Sequence, residues 1–258
     1  TLTLDYRCCD RKCPLYIKHI EVERIAATAR QQLVADDIDT VSFDALRQIS
    51  GLKINGIDFA LEVSTDYPVH DELGNHVFGV CEFDPAMPDA AMVSISPVGE
   101  ILSDLLALST LAHELGHAVF DAPGWIVQGS KGPGLFDDVE PTMKRAYRTT
   151  TPDSEHLSKA LSAKPTTEEH LAELRANEFM GSLLVPRQRI IAAVEELAPM
   201  HNITIHRHPS TDAYHPGTAL RITAAAEMGM FDMERFATAL ATRFGVNRRF
   251  IQVRLSRF

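Results

Sequence analysis

The 258 residues carry 45% apolar and 23% charged side chains, the mix of a globular protein with enough chain to bury a core. The formal charge of −10 argues against a protein devoted to nucleic acid, which needs cations to neutralise phosphates. No apolar run is long enough to cross a bilayer and no secretory signal is visible. The four cysteines are too few for a disulfide scaffold, so no membrane and a reduced, cytoplasmic setting are expected.

Residues 1–15 show no periodicity and read as a flexible arm. Cys8 and Cys9 in it are adjacent, without the ligand gap of a metal site, so the cluster with Cys13 is a poor metal candidate. Ile20, Ile25, Ala26 and Leu33 recur at helical spacing over 18–34, and a short helix follows near 43–49. Ile57, Phe59, Leu61 and Val63 alternate as in a half-buried strand. Two more strands are expected over 76–83 and 91–95, with Asp71, Gly74 and Asn75, then Asp84, Pro85, Pro88 and Asp89, in the turns between. Three short strands so joined predict a small antiparallel sheet. A long helix from about Pro97 or Asp104 to Phe120 carries an apolar stripe of Leu108, Leu111, Leu115 and Val119. Asp121, Pro123 and Gly124 end it. The stretch 121–165 is rich in Gly, Pro, Ser, Thr and charge and reads as a long excursion with one helix near 142–147. Thr166 and Glu169 have capping-box spacing, so a helix starts there and runs to Val185, before Pro186. Another spans 187–197. Residues 201–217 hold His201, His206, His208 and His215 without a regular period and read as a solvated loop. Helices are predicted over 219–228, 233–244 and 247–256.

The sharpest chemical signal is His113-Glu114-Leu115-Gly116-His117. Histidines four apart on a helix share a face, so two imidazoles reach one tetrahedral ion at about 2.0–2.1 Å. Glu114 lies about 100° around the helix from His113, where it meets a metal-bound water rather than the metal. Two ligands and a general base are what a metalloprotease needs. The bland alternative is a pair of polar residues on a surface helix. The apolar flanks Leu111-Ala112 and Ala118-Val119-Phe120 weigh against it, because buried charge is costly without a purpose. A catalytic site needs a third ligand. Glu173 supplies it, beside the apolar stripe Ala172, Ala176, Phe179 and Leu183 of the 166–185 helix. Asn177, four residues on, could orient a ligating imidazole. Tyr147, His156, Tyr214 and His215 are oxyanion candidates by residue type alone. The strand at 91–95 is expected to pair with an extended substrate backbone.

Thr110, His113, Glu114 and His117, followed by Glu173, Ala176, Asn177, Phe179, Leu183, Leu184 and Pro186, make the chain resemble the ImmA/IrrE family of bacterial metallopeptidases. Residues 79–84 and 93–96 fit as the sheet before the metal helix. Phe236, Ala241, Phe244, Gly245, Val246 and Asn247 fit a helix-turn-helix-like end. The resemblance implies an α+β, zincin-like peptidase domain over 1–200 and a C-terminal helical region over 201–258, although the chain departs from the family in the long insertion at about 121–165, which lengthens the gap between His117 and Glu173. It implies one zinc ion, with manganese as the alternative, held by His113, His117 and Glu173 with Glu114 as base. It also implies a protein substrate, a helix-turn-helix transcriptional repressor. Two other classes compete. One is a module that sequesters a repressor or antitoxin without cutting it. The other is a DNA-binding regulator with a vestigial protease core, reading DNA through Arg243, Arg248, Arg249, Arg254 and Arg257.

Overall fold

The structure is a computed structural model that describes residues 1–71, 73–99, 102–130, 143–148, 168–209, 218–224 and 229–257. In chain order the strands are β1 (Leu2–Leu4), β2 (Gly51–Ile54), β3 (Ile57–Ser64), β4 (Val69–His70), β5 (His76–Val77), β6 (Gly79–Phe83), β7 (Ala90–Ile95), β8 (Lys144–Arg148), β9 (Ile203–Pro209) and β10 (Thr218–Ala224). The helices are α1 (His19–Leu33), α2 (Phe43–Arg47), α3 (Asp104–Phe120), α4 (Ala122–Ser130), α5 (Glu168–Leu184), α6 (Arg187–Leu197), α7 (Gly229–Phe244) and α8 (Arg248–Leu255). A short 3-10 turn, Ala198–His201, follows α6.

Six strands form one sheet in the order β1-β2-β3-β7-β6-β8. It is mixed rather than antiparallel, because β1 runs parallel to β2 and β3 parallel to β7. The reason lies in the connections. The β4–β5 hairpin and β6 intervene between β3 and β7, so β7 returns beside β3 in the same direction and β6 folds back outside it. Asn55 and Gly56, at φ 51° and 78°, turn β2 into β3. That is the two-residue Asn-Gly hairpin whose both central residues need positive φ. The expected flexible arm is in fact an edge strand: Leu2 and Leu4 are each 2% exposed.

Helix α3 begins at Ser103, whose side chain accepts a bond from Leu106 N–H, as a good N-cap does. From Ala107 to Phe120 every residue is buried, because α3 packs on β6, β7 and β8 on one side and on α5 on the other. The expected stop after Phe120 is only a bend. Asp121 keeps a right-handed helical conformation, and α4 starts at once with Pro123 in its first turn, where a missing N–H costs nothing.

Three further expectations are corrected. The segment near 142–147 is the strand β8, not a helix. The histidine-rich stretch contains β9, and the helix predicted from 219 is instead β10 through Ala224. Ile203 and Ile205 alternate on one strand and face Ala224 and Ile222 on the other. Period-two apolar patterning decides once a partner strand is present. Helices α7 and α8 join the same core through Phe236, Leu240, Phe244 and Ile251. Among the described residues no helix is long and apolar enough to cross a membrane.

Three of the five C-terminal arginines, Arg243, Arg254 and Arg257, are tied to carboxylates. Arg254 is buried and donates to Glu178 Oε1 at 2.8 Å, Ser182 Oγ at 2.9 Å and the Val185 carbonyl at 3.0 Å. Arg257 pairs with the same carboxylate. Arg243 reaches Asp39 at 2.7 Å and Glu196 at 2.6 Å. Arg248 and Arg249 differ: both are exposed, and Arg248 lies 3.7 Å from Glu234.

Candidate metal centre

The sequence stacks His113 and His117 on one face of α3, and the fold brings Glu173 of α5 to meet them. His113 Nε2 lies 3.2 Å from His117 Nε2. Glu173 Oε1 lies 3.2 Å from His117 Nε2, and Glu173 Oε2 lies 3.5 Å from His113 Nε2. Donors on a tetrahedral ion with bonds of 2.0–2.1 Å stand about 3.3 Å apart. Each of these spacings is close to that edge length, though the two Glu173 distances use different oxygens, and the three residues form a group able to hold a metal ion. Both histidines are buried, while the Glu173 side chain is 42% exposed, so the open side of the triangle is the side that solvent and ligands reach.

Two small residues make this approach feasible. A Cβ added to Gly116 would lie 2.9 Å from Ala176 Cα. The helices α3 and α5 thus touch backbone to backbone in the middle of the motif, and α5 comes near enough for a glutamate to reach the histidines.

His117 is held from behind. Its Nδ1 lies 2.7 Å from Asp121 Oδ2, and Arg175 Nη2 donates to Asp121 Oδ1 at 2.9 Å. A carboxylate on Nδ1 fixes that nitrogen as the donor and leaves the Nε2 lone pair for an ion. Burial acts to lower the His117 pKa, but Asp121 and Glu173 outweigh it and push it up to about 10. Burial likewise raises the Glu173 carboxyl, and His113 and His117 outweigh it and hold the group well below the usual carboxylate range. An anionic pair of carboxylates thus surrounds a site that attracts a cation.

Asp121 and Arg175 are the residues that sequence reasoning missed. The signal was present, since Asp121 stands four residues after His117 at the end of the same helix, the spacing at which side chains meet. The ring of His117 is held by Asp121, not by Asn177, which sits half-buried on α5.

Glu114 is fully buried on α3. It packs against β6, where a Cβ added to Gly79 would lie 3.1 Å from Glu114 Cγ. The neighbouring Cys81 thiol is pushed up by burial and then by the carboxylates of Glu114, Asp121 and Glu82. It stays protonated and does not compete as a nucleophile.

The strand over Ala90–Ile95 lies inside the sheet, with β3 on one side and β6 on the other, so its backbone is not free to pair with a substrate. His156, Tyr214 and His215, and the side chain of Tyr147, lie outside the described residues. His206 Nε2 lies 3.0 Å from Thr223 Oγ1 across the β9–β10 pair. Among the described residues the His113, His117 and Glu173 group is the one cluster with metal-ligand geometry. No protein family, no curated protein and no solved structure matches this chain.

Proposed function

We propose that the chain is a zinc-dependent peptidase of zincin-like build that cleaves a regulatory protein, in the first instance a helix-turn-helix repressor. The observation that carries the reading is the donor triangle of His113, His117 and Glu173, with spacings close to a tetrahedral edge length and a buried Glu114 beside it on the same helix. Two imidazoles and one carboxylate are a donor set that suits zinc, with manganese as the alternative. Bound zinc supplies Lewis acidity to a peptide carbonyl and lowers the pKa of water.

The chain's own residues would do the rest. His113 and His117 present neutral Nε2 atoms, with Asp121 fixing the His117 tautomer and Arg175 fixing Asp121. Glu114 would take a proton from water as the water oxygen bonds to the peptide carbonyl carbon, and would give it to the amine nitrogen as the C–N bond breaks. Tight packing of Gly79 against Glu114 keeps that carboxylate in one place. The repressor as substrate rests on the family resemblance of the metal motifs.

The test has two parts. Elemental mass spectrometry should find about one zinc per wild-type chain. Glu114→Gln should keep that metal while cleavage, read as new N-termini by proteomics, falls by about 10²–10⁴-fold. Unchanged biological effect in this variant would favour the sequestering module instead. A folded wild type that takes up no metal would end the peptidase reading.

A further inference from the structure

The sheet has two edges, and they are closed in different ways. At one, β1 buries Leu2 and Leu4 in the core. At the other, β8 lies antiparallel along β6 with five residues in register, from Lys144 opposite Phe83 to Arg148 opposite Gly79. Lys144 and Arg145 are not buried, Ala146 is only half-buried, and none of the three enters the core. An ion pair of 2.9 Å joins Arg145 to Glu82. At these three residues β6 is met by main-chain pairing and one ion pair, which any extended segment of suitable side chains can supply.

The edge so covered is the one beside the candidate metal centre. Gly79, at the end of β6, touches Thr110 and Glu114 of α3, and β8 itself packs against α3. Because β8 runs antiparallel to β6, its C-terminal end comes level with Gly79 and hence with Glu114.

We propose that β8 is a resident strand standing where an extended segment of a protein substrate docks on β6, and that it must leave before the substrate enters. The inference rests on the peptidase reading and narrows its substrate. The docked segment runs antiparallel to β6. It carries Lys or Arg opposite Glu82 and a small residue opposite Cys81, as Arg145 and Ala146 do. Its end at Gly79 delivers the chain to the metal-bearing helix. β8 is then both a plug of that groove and a template for what fills it.

The experiment uses the full chain and a synthetic peptide of residues 143–148, Met-Lys-Arg-Ala-Tyr-Arg. The double variant Arg145→Pro and Ala146→Pro removes two successive amides, one of which faces β6. Hydrogen exchange at residues 79–83 should speed up at least tenfold in this variant and slow again with added peptide. By fluorescence anisotropy the peptide should bind the variant at least tenfold more tightly than the wild type. As a gentler variant that leaves the backbone intact, Arg145→Glu should also raise exchange and peptide binding, and Glu82→Lys added to it should restore the wild-type values. Unchanged exchange at 79–83 in both folded variants, or equal peptide binding by variant and wild type, would overturn the proposal. Neither readout needs metal or catalysis. Binding without cleavage would therefore sink the peptidase reading and keep the docking edge, whereas cleavage with unaltered peptide binding would do the reverse.

Discussion

Helix α5 carries two glutamates five residues apart, Glu173 and Glu178, about 140° from one another around the helix axis. Glu173 is 42% exposed and faces two histidines. Glu178 is 3% exposed and is enclosed by Arg254, Arg257, Ser182 and His19. Both carboxyls are held well below their ordinary range. For each, burial pushes the other way and is outweighed, by the histidines at Glu173 and chiefly by Arg254 at Glu178. The surroundings differ in what they leave open. At Glu178 every cation is a permanent part of the chain, and the carboxylate ties α1, α5 and α8 together. At Glu173 the partners are imidazoles that converge on one point and can exchange their protons for an ion. A depressed carboxylate therefore identifies chemistry only when its partners are themselves ligands.

The largest effect is expected at the closed end of this comparison. Glu178→Ala leaves Arg254 buried without its carboxylate and should lower the unfolding free energy by about 3–5 kcal/mol, read by urea denaturation. A loss below about 1 kcal/mol would mean that the network is decoration and that the contrast with Glu173 fails. Next comes Asp121→Ala, which frees His117 Nδ1. It should weaken zinc affinity about 10–100-fold in competition with a chromophoric chelator, leaving the Glu178 network untouched.

Acid gives a third handle. The folded value of Glu178 lies below its unfolded value of about 4.3, so its stabilisation is complete above that pH and is lost as the pH falls toward the folded value. Wild type should lose stability between about pH 5 and 3 more steeply than Glu178→Gln, measured as urea midpoints across that range. The smallest effect on folding is expected for Glu173→Gln. It should change metal-free stability by less than about 1 kcal/mol while abolishing stoichiometric zinc. A Glu173 variant that unfolds as readily as Glu178→Ala would erase the distinction between the two carboxylates.

Much of this was legible in the residues, and the omissions have physical causes. His113 and His117 were readable because helical spacing alone places them together. Glu173 needed the tertiary approach of α5, yet its place beside an apolar stripe was a sufficient clue. Asp121 is hidden because Pro123 and Gly124 read as a helix stop, although the chain only bends there between α3 and α4. β1 and β8 were missed for opposite reasons. Leu2 and Leu4 are too few to show a period, and Lys144-Arg145-Ala146-Tyr147-Arg148 has no apolar alternation, so its pairing with β6 left no mark in the pattern. β2 went unread although Asn55-Gly56 announces a hairpin, because Ile57 was treated as the first strand. Of the arginines after residue 242, Arg243, Arg254 and Arg257 find partners on α5, α6 and the loop at Asp39, which no local pattern announces, whereas Arg248 and Arg249 stay exposed.

The contact between Gly116 and Ala176 has one more consequence. It sets the gap between two rigid rods that carry all three donor side chains, and so it works as a calliper for ionic radius. With the jaws fixed by backbone touching backbone, a small tetrahedral ion spans the donors, and a large one such as cadmium or calcium must prise the helices apart. A methyl group at position 116 would push the two rods apart and widen the spacing of the donors without touching any of them.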